Sequence, residues 1–255
     1  IHIKTNEVTI HEIKIIKKED VKFDFTDGYA ETEILSDTCP GIRICKCCLK
    51  SGNTIEIETY AEEDRMQLLF FTSRSGIVRS DKKIYSIDDQ AVFIPDFDRE
   101  KVAVTAADKD LNFIRITGPM TEIDHRQMKN CQYILPRFVR LKESIEYTER
   151  FTQESGSKVV SHSIVAGRHL GRYTMGWNIG AGPDFIGQHT HPTLEQWYFM
   201  IDGSKFTYVA GGNKIPVNEG DISFTPHGTS HGSECGENGF INYVWFELNR
   251  AWEEI

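Results

Sequence analysis

The segment from Gly182 to His231 contains three histidines and one glutamate among turn-forming residues, and this pattern limits the folds open to the chain. The four side chains are His189, His191, Glu195 and His231. Residues i and i+2 of a strand point to the same face, so His189 and His191 can reach one ion together. A small antiparallel barrel would turn all four inward. The spacing therefore predicts a metal site inside a β-barrel.

Glu195 is the expected carboxylate ligand. It begins a run in which alternation groups it with Trp197, Phe199 and Ile201, and we expect this apolar face to point into the barrel. A carboxylate on a core face needs a partner, because an unpaired buried charge is costly. A divalent cation is such a partner.

Short runs rich in β-branched and aromatic residues recur along the chain between turn signals, which indicates an all-β protein. In the second half a meander of hairpins is predicted, and Gly228 is expected to adopt a positive φ in the corner before His231. The predicted strands are Arg172–Asn178, Glu195–Ile201, Lys205–Ala210, Ile222–Thr225 and Phe240–Leu248, with turns at 202–203, 211–213 and 218–221.

The first half repeats this plan without its histidines. Asp89, Pro95, Phe97 and Glu100 keep the offsets of Gly220, Pro226, Gly228 and His231, yet no histidine lies between His11 and His125. We predict a barrel over 1–118, a connector over 119–167 with a short helix at Thr121–Gln132, and a metal-binding barrel over 168–255. An all-oxygen site in the first barrel is a minor alternative; its candidates are Glu58, Tyr60, Glu62, Asp64 and Glu100.

Size and charge favour a protein that acts on small molecules. The chain has 255 residues, a net charge of −9 and a pI near 5.5, so neither a nucleic-acid partner nor an anionic membrane surface is expected. No apolar run approaches a membrane span, and Ile1–Lys4 does not open a signal-peptide pattern. A cytoplasmic location is therefore expected.

The cysteines crowd one segment, where Cys45 and Cys48 form a CxxC with Cys47 between them. A zinc ribbon would need a second pair nearby, and none follows. We predict reduced thiols on a strand, with a redox or metal role as the alternative.

The residues around the histidines resemble the cupin superfamily, whose motifs are G-x5-H-x-H-x3,4-E-x6-G and G-x5-P-x-G-x2-H-x3-N. The first is matched by Gly182, His189, His191, Glu195 and Gly203, with one extra residue before His189 and one before Gly203. The second is matched by Gly220, Pro226, Gly228 and His231, with Cys235 in place of the asparagine.

This resemblance implies an all-β fold of two tandem jelly-roll-like cupin barrels, joined by a short helical and charged connector. It also implies one divalent transition metal ion (Fe, Mn, Zn, Ni or Co) in the second barrel. Its ligands would be three histidines and Glu195, with positions left for water or substrate. N and O ligands do not separate these ions.

The overall plan is also similar to the uronate isomerases. The string Arg172–Gly176 and the aromatic strand after Glu195 carry this likeness. That family is expected to have four residues between the second histidine and the glutamate, whereas here only Pro192, Thr193 and Leu194 intervene. The resemblance implies isomerisation of a sugar acid or a related hydroxy-carbonyl compound.

Two other classes stay open: a non-haem iron or manganese dioxygenase, and a cupin that binds a small molecule without chemistry. The catalytic residue is not assigned; the candidates for a general base are Tyr208, Tyr243, Glu247 and His227. Arg172 is either a contact for a substrate carboxylate or a solvated strand end, and Trp197 is expected to pack in the barrel wall. Exposed edge strands make a homodimer an open expectation.

Overall fold

The computed structural model describes residues 12–253, apart from the side chains at 150, 151, 153, 252 and 253. Antiparallel strands make up most of this range. The strands before residue 120 are β1 Lys14–Ile16, β2 Tyr29–Ile34, β3 Arg43–Leu49, β4 Thr54–Ile57, β5 Arg65–Phe71, β6 Gly76–Arg79, β7 Ile84–Ile87, β8 Ala91–Ile94, β9 Val102–Ala106 and β10 Leu111–Pro119.

The helices and the remaining strands follow. They are α1 Glu122–Cys131, β11 Arg137–Arg140, β12 Ile145–Tyr147, α2 Arg150–Ser155, β13 Val160–Leu170, β14 Tyr173–Ala181, β15 Asp184–His189, β16 Leu194–Met200, β17 Lys205–Ala210, β18 Asn213–Asn218, β19 Ile222–Thr225, β20 His231–Cys235 and β21 Phe240–Asn249. Short 3-10 turns span Lys18–Asp20, Leu141–Glu143 and Arg250–Glu253. Across the described range, no helix has the length and apolar character needed to cross a membrane.

Each half of the chain forms jelly-roll-like sheets, which confirms the all-β prediction. The first half has a six-stranded sheet, in the order β11-β8-β5-β10-β3-β2, and a four-stranded sheet, β4-β9-β6-β7. The second half forms one eleven-stranded sheet along β1-β19-β16-β21-β14-β13-β12, to which β15, β20, β17 and β18 are attached.

Two short strands cross between the halves. β1 pairs with β19, so residues near the N-terminal end of the described range complete the sheet of the second half. β11, from the expected connector, pairs with β8 of the first half. Because β13 begins at Val160, the expected boundary between 167 and 168 falls inside a strand. Each half therefore includes a strand from outside its own segment of the chain.

The predicted elements of the second half are close to those observed. The helix predicted at Thr121–Gln132 is confirmed as α1, with Thr121 and Asp124 forming a capping box. The five predicted strands match β14, β16, β17, β19 and β21 within a few residues at each end. The turn glycines Gly203, Gly220 and Gly228 have φ of 74°, 89° and 77°. The strand β18 was not predicted, since Pro216 interrupts its pattern.

Alternate residues of β16 enter two different cores, which reverses the expected orientation of this strand. Trp197, Phe199 and Ile201 pack in a cluster that contains residues of both halves. Within it, the rings of Phe70 and Phe199 lie 6.1 Å apart. Tyr198 instead packs in the interior of the second half. The apolar face predicted to line the barrel therefore lies between the halves.

The six cysteines, all within the described residues, form no disulfide. Cys45 and Cys47 are buried in the interior of the first half. Cys45 and Cys48 are three residues apart on β3, so their side chains lie on opposite faces of the sheet. This orientation agrees with the prediction of thiols on a strand and keeps the CxxC from closing on one ion.

Candidate metal centre

Three of the four expected ligands meet in the second half. His189 ends β15, His191 follows in the loop, and His231 begins β20, which pairs with β15 so that His189 lies opposite His231. The ring centroids are 4.5 Å apart for His189 and His231, 4.8 Å for His189 and His191, and 5.5 Å for His191 and His231. One nitrogen from each ring lies within 4.8 Å of the others. This cluster can hold a metal ion.

Backbone carbonyls orient two of the rings. Nδ1 of His189 lies 2.8 Å from the carbonyl oxygen of Gly187, and Nδ1 of His231 lies 2.9 Å from that of Thr229. An Nδ1–H that donates to a carbonyl places the ring's lone pair on Nε2. Nε2 of His231 is buried and has no hydrogen-bond partner. A metal ion at the centre of the cluster would satisfy this nitrogen.

The surroundings keep the three imidazoles neutral. Burial lowers the pKa of His191 to about 4, helped by the neighbouring His189. Burial likewise lowers the pKa of His231 to about 3 and that of His189 below its usual value. Neutral imidazole is the form that binds metal ions, so at neutral pH no proton has to leave before coordination.

Glu195 is not brought to the histidines. Its carboxylate is fully buried on the other face of β16, where Nε of Arg250 donates to Oε1 at 2.6 Å. His227 approaches from the following corner: its Nδ1 lies 2.8 Å from Oε1, and its backbone N–H donates to Oε2 at 3.1 Å. The carboxylate does have the partner that burial demands. That partner is a guanidinium group rather than a metal ion.

Gln196 takes the inward position that was expected for Glu195. It lies on the same side of β16 as Tyr198, and its side-chain amide donates to Glu247 Oε1 at 2.8 Å. With four intervening residues after His191, the spacing expected in the uronate isomerases, the ligand position falls on Gln196. The spacing to Glu195 is one residue shorter, and this difference was the available signal that Glu195 faces the other way.

The histidines open onto a cavity of about 160 Å³ with a carboxyl group in its wall. Glu247, on β21, accepts hydrogen bonds from Gln196 and from the Thr174 hydroxyl at 3.1 Å. Burial raises the pKa of Glu247 to about 7, although these two hydrogen bonds oppose the shift. A carboxyl group with this pKa can take up and release a proton near neutral pH.

The remaining walls are polar and aromatic. Tyr147 and Glu149 come from the connector, and the Tyr147 hydroxyl donates to Glu149 at 2.7 Å. Asn178 donates to the Tyr243 hydroxyl at 2.9 Å. The full lining is Tyr147, Glu149, Asn178, Ile186, His189, His191, Leu194, Gln196, Tyr198, Tyr243, Trp245 and Glu247. Nothing in the connector sequence pointed to Glu149.

The structure separates the candidates for a general base. Glu247 and Tyr243 line the cavity, and burial raises the pKa of Tyr243 to about 12. Tyr208 is fully buried, with its hydroxyl bonded to Thr225, and is not part of the lining. His227 contacts Glu195 on the opposite face. Of the two candidates that line the cavity, Glu247 has the pKa closer to neutral pH.

Arg172 and Trp197 both have packing roles. Arg172 is neither solvated nor part of the cavity lining: it is buried, and its Nε lies 3.1 Å from Asp124 of α1. This ion pair connects α1 to the second half of the chain. Trp197 packs between Phe224 and Phe246, at 5.1 and 5.5 Å, as expected for a wall residue.

The first half contains no comparable ligand cluster within the described residues. Three of its acidic candidates bind cations or hydroxyl groups of the protein instead. Glu100 pairs with Lys82 at 2.8 Å, Glu62 pairs with Arg99, and Glu58 accepts a hydrogen bond from Tyr60 at 3.0 Å. Phe97, at the offset of Gly228, shares its positive φ, with a value of 49°.

The fold is similar to that of several solved structures. A putative glyoxylate-induced protein from Pseudomonas aeruginosa matches with a TM-score of 0.74 and 11% identity, over 97% of this chain and 92% of that one. Oxalate decarboxylase from Lactobacillus farciminis, in a formate complex, matches with a TM-score of 0.67 and 11% identity, over 92% and 86%.

A cupin 2 conserved barrel domain protein from Leptotrichia buccalis matches with a TM-score of 0.61 and 16% identity, over 92% of this chain and 96% of that one. No protein-family model and no curated protein sequence matches the chain. These identities are low, and the likeness extends over nearly the whole length. The chain therefore has the fold of the cupin superfamily.

Proposed function

We propose that the protein is a metal-dependent enzyme that moves a proton between neighbouring carbons of a small hydroxy-carbonyl compound, which is an isomerisation. The observation that carries this proposal is a carboxyl group, Glu247, in the wall of the cavity that the histidine cluster faces. Such a reaction needs an electrophile beside the substrate oxygens and a base that titrates near neutral pH.

The histidine cluster would hold one divalent transition metal ion through His189, His191 and His231. Three imidazoles leave coordination positions for substrate oxygens, and Fe, Mn, Zn, Ni and Co all accept such ligands. When bound, the ion would polarise a carbonyl and an adjacent hydroxyl group. The carbonyls of Gly187 and Thr229 orient two of the ligating rings, as outer-shell groups of metal sites do.

Glu247 would carry the proton. In its ionised form it would take a proton from the hydroxyl-bearing carbon beside the carbonyl group, and in its protonated form it would return that proton to the former carbonyl carbon, while the hydroxyl proton passes to the former carbonyl oxygen. Gln196 and Thr174 fix the carboxyl group by hydrogen bonds, so its position does not depend on the substrate. General acid–base catalysis of this kind typically contributes about 10²- to 10⁴-fold in rate.

The cavity favours a small substrate whose oxygens point to the histidines. Among the side chains that the structure describes, no lysine or arginine lines the cavity, and Arg172 is held by Asp124. We therefore place a substrate carboxylate at the histidine cluster. The structural likeness to oxalate decarboxylase and to a glyoxylate-induced protein supports a small carboxylate or hydroxy-carbonyl compound over a large sugar derivative.

The proposal is tested by incubating the metal-loaded protein in D₂O without oxygen, with a panel of small hydroxy-carbonyl compounds and sugar acids. Proton NMR then follows exchange at the carbon beside the carbonyl group. We expect deuterium to enter both the substrate and its isomer, and the Glu247→Gln variant to show no exchange while its metal content is unchanged.

A requirement for dioxygen would contradict the isomerase proposal. If turnover occurred only in air and consumed oxygen, the same cluster would be the centre of a dioxygenase. If no compound exchanged or was converted, with metal bound and ligands still recognised, a binding function would replace both.

A further inference from the structure

A second cavity lies between the two halves. Its volume is about 490 Å³, roughly three times that of the histidine cavity, and the two share no lining residue. The first half contributes residues of β3 and β10, and the second half contributes residues of β16 and the turn before β19. We call it the inter-half cleft.

Lys46 is the unusual residue of the inter-half cleft. It lies on β3 two residues after Ile44, and Ile44 belongs to the apolar cluster shared by both halves. Its cross-strand neighbour on β10 is Ile114, which belongs to the same cluster. Lys46 therefore projects from a face that is otherwise built for apolar contact between the halves.

Among the described residues, the Lys46 ammonium group has few partners that offset the cost of its burial. Nζ donates to the carbonyl oxygen of Gly220 at 2.5 Å, across the boundary between the halves. Among the described residues, no carboxylate lies within ion-pair distance of Lys46, and Asp221 acts only through its field. Burial lowers the pKa of Lys46 to about 8. An apolar side chain of similar length would fit this face at lower cost.

The other charges of the inter-half cleft leave it attractive to an anion. Asp202 is bound to Arg74 at 2.9 Å, Asp110 to Lys50 at 2.8 Å and Glu219 to Lys18 at 3.9 Å, so each acidic group in the lining is already paired. Phe113, Phe199 and Ile222 supply apolar walls. A lysine beside aromatic and aliphatic side chains suits a ligand in which an anionic group is attached to an apolar body.

We propose that the inter-half cleft is a binding site for a small organic anion with an apolar body, and that the Lys46 ammonium group anchors its charge. The bound anion would contact both halves at once, beside the Arg74–Asp202 ion pair that joins them. This inference is independent of the metal site, because it uses none of that site's residues.

The test is a fluorescence titration of the full-length protein with 8-anilinonaphthalene-1-sulfonate, an apolar anion. The test variant is Lys46→Gln, whose amide can still donate to Gly220 but carries no charge. The matched control is Lys83→Gln, which removes the same charge from an exposed position outside the lining. We expect saturable binding to wild type and to the control, and binding at least about tenfold weaker to Lys46→Gln.

Competition and stability complete the test. Benzoate should displace the dye, while benzamide, which has the same ring but no charge, should not. Lys46→Arg should bind within about threefold of wild type, since it keeps the charge. Equal dye affinity in Lys46→Gln and Lys83→Gln would overturn the proposal. So would unfolding of Lys46→Gln with Lys46→Arg still folded, because Lys46 would then act as a structural tie to Gly220.

Discussion

The strands β5 and β16 lie at equivalent places in the two halves. The interior beside β5 is filled by hydrogen-bonded ionic groups, whereas the interior beside β16 contains a cavity. Each carries a glutamine that faces the interior of its half: Gln67 lies opposite Thr117 on β10, and Gln196 lies opposite Glu247 on β21. Gln67 accepts a hydrogen bond from Arg115 at 2.7 Å, whereas Gln196 donates one to Glu247. The partner of the glutamine has the opposite charge in the two halves.

In the first half the ionic groups satisfy one another. Arg115 also donates to Glu31 at 3.2 Å and to the Tyr60 hydroxyl at 2.9 Å. Burial opposes ionisation of Glu31, but the Tyr29 hydroxyl and the charges of Arg115 and Arg43 prevail and lower its pKa to about 2. A network of this kind leaves no group for a ligand.

In the second half the polar groups of the interior lack such partners. Burial raises the pKa of Glu247 to about 7, because the hydrogen bonds from Gln196 and Thr174 only partly offset it, and Nε2 of His231 is buried with no hydrogen-bond partner among the described residues. A buried polar atom without a hydrogen-bond partner and a shifted pKa are typical of a site that binds a ligand or a substrate. The two halves therefore share a fold but differ in whether the polar groups of the interior have partners within the protein.

The largest effect is expected at Glu247. Replacing it with Gln keeps the shape and the contact with Gln196 but removes the ionisable group. Turnover should fall about 10³-fold, with metal content unchanged, because the proton carrier is lost. Steady-state kinetics on the substrate found by deuterium exchange measures this loss.

The control for that experiment is Glu234→Gln. Glu234 is an exposed carboxylate that pairs with Lys214 at 2.6 Å on the outside of the same half. Its replacement should leave turnover within about twofold of wild type, since such surface pairs contribute little. Similar losses in both variants would remove Glu247 from the mechanism.

The next effect is one of stability in the first half. Arg115→Met leaves Glu31 without its buried cation, and the free energy of unfolding should drop by about 2 to 3 kcal/mol. The Met variant should bind as much metal as wild type. Chemical denaturation measures the loss, and Arg99→Met, which breaks exposed ion pairs, should cost less than about 1 kcal/mol. Metal loss in Arg115→Met would show that the first half does contribute to the metal site.

A smaller effect is expected for Glu195→Gln. This change weakens the ion pair with Arg250, which is partly exposed, so the free energy of unfolding should fall by about 1 to 2 kcal/mol. Metal content and turnover should be retained. Thermal melting measures the stability and metal analysis of the same sample measures the bound metal. Metal loss at unchanged stability would show that Glu195 is a ligand.

The smallest effect concerns pH. Burial lowers the pKa of His191 to about 4, that of His231 to about 3 and that of His189 below its usual value, so protons should compete only weakly with metal ions above about pH 6. The apparent affinity for Zn²⁺ should change less than about threefold between pH 7.5 and 6. A steep loss of affinity between these limits would mean that the imidazoles titrate near their ordinary pKa.

Much of the fold could be predicted from the sequence because local patterns agree with it. Glycines placed at turns, alternating apolar runs and the capping residues of α1 each determine nearby structure. The exchange of β1 and β11 between the halves could not be predicted, since strand partners distant in sequence leave no local pattern.

The candidate site was predictable in part. His189 and His191 are two residues apart, so strand geometry predicts that both reach one ion. His231 joins them through the pairing of β20 with β15, and the sequence indicated its role only through the ordered offsets of the turn residues before it. Glu195 was assigned to the wrong face because the residues alternating with it are apolar. In this fold the most apolar face of β16 packs against the other half, and the interior accepts Gln196 and Tyr198. Periodicity identifies a buried face but not what covers it.

Metal analysis of wild type and of His231→Ala tests most directly whether the second half alone holds a metal centre. Protein purified without added metal should contain about one transition metal ion per chain, and His231→Ala less than about a tenth of that, since a ligand of the cluster is lost. The control His125→Ala, on α1, should match wild type. One full equivalent of metal retained by His231→Ala would contradict the assignment of the site.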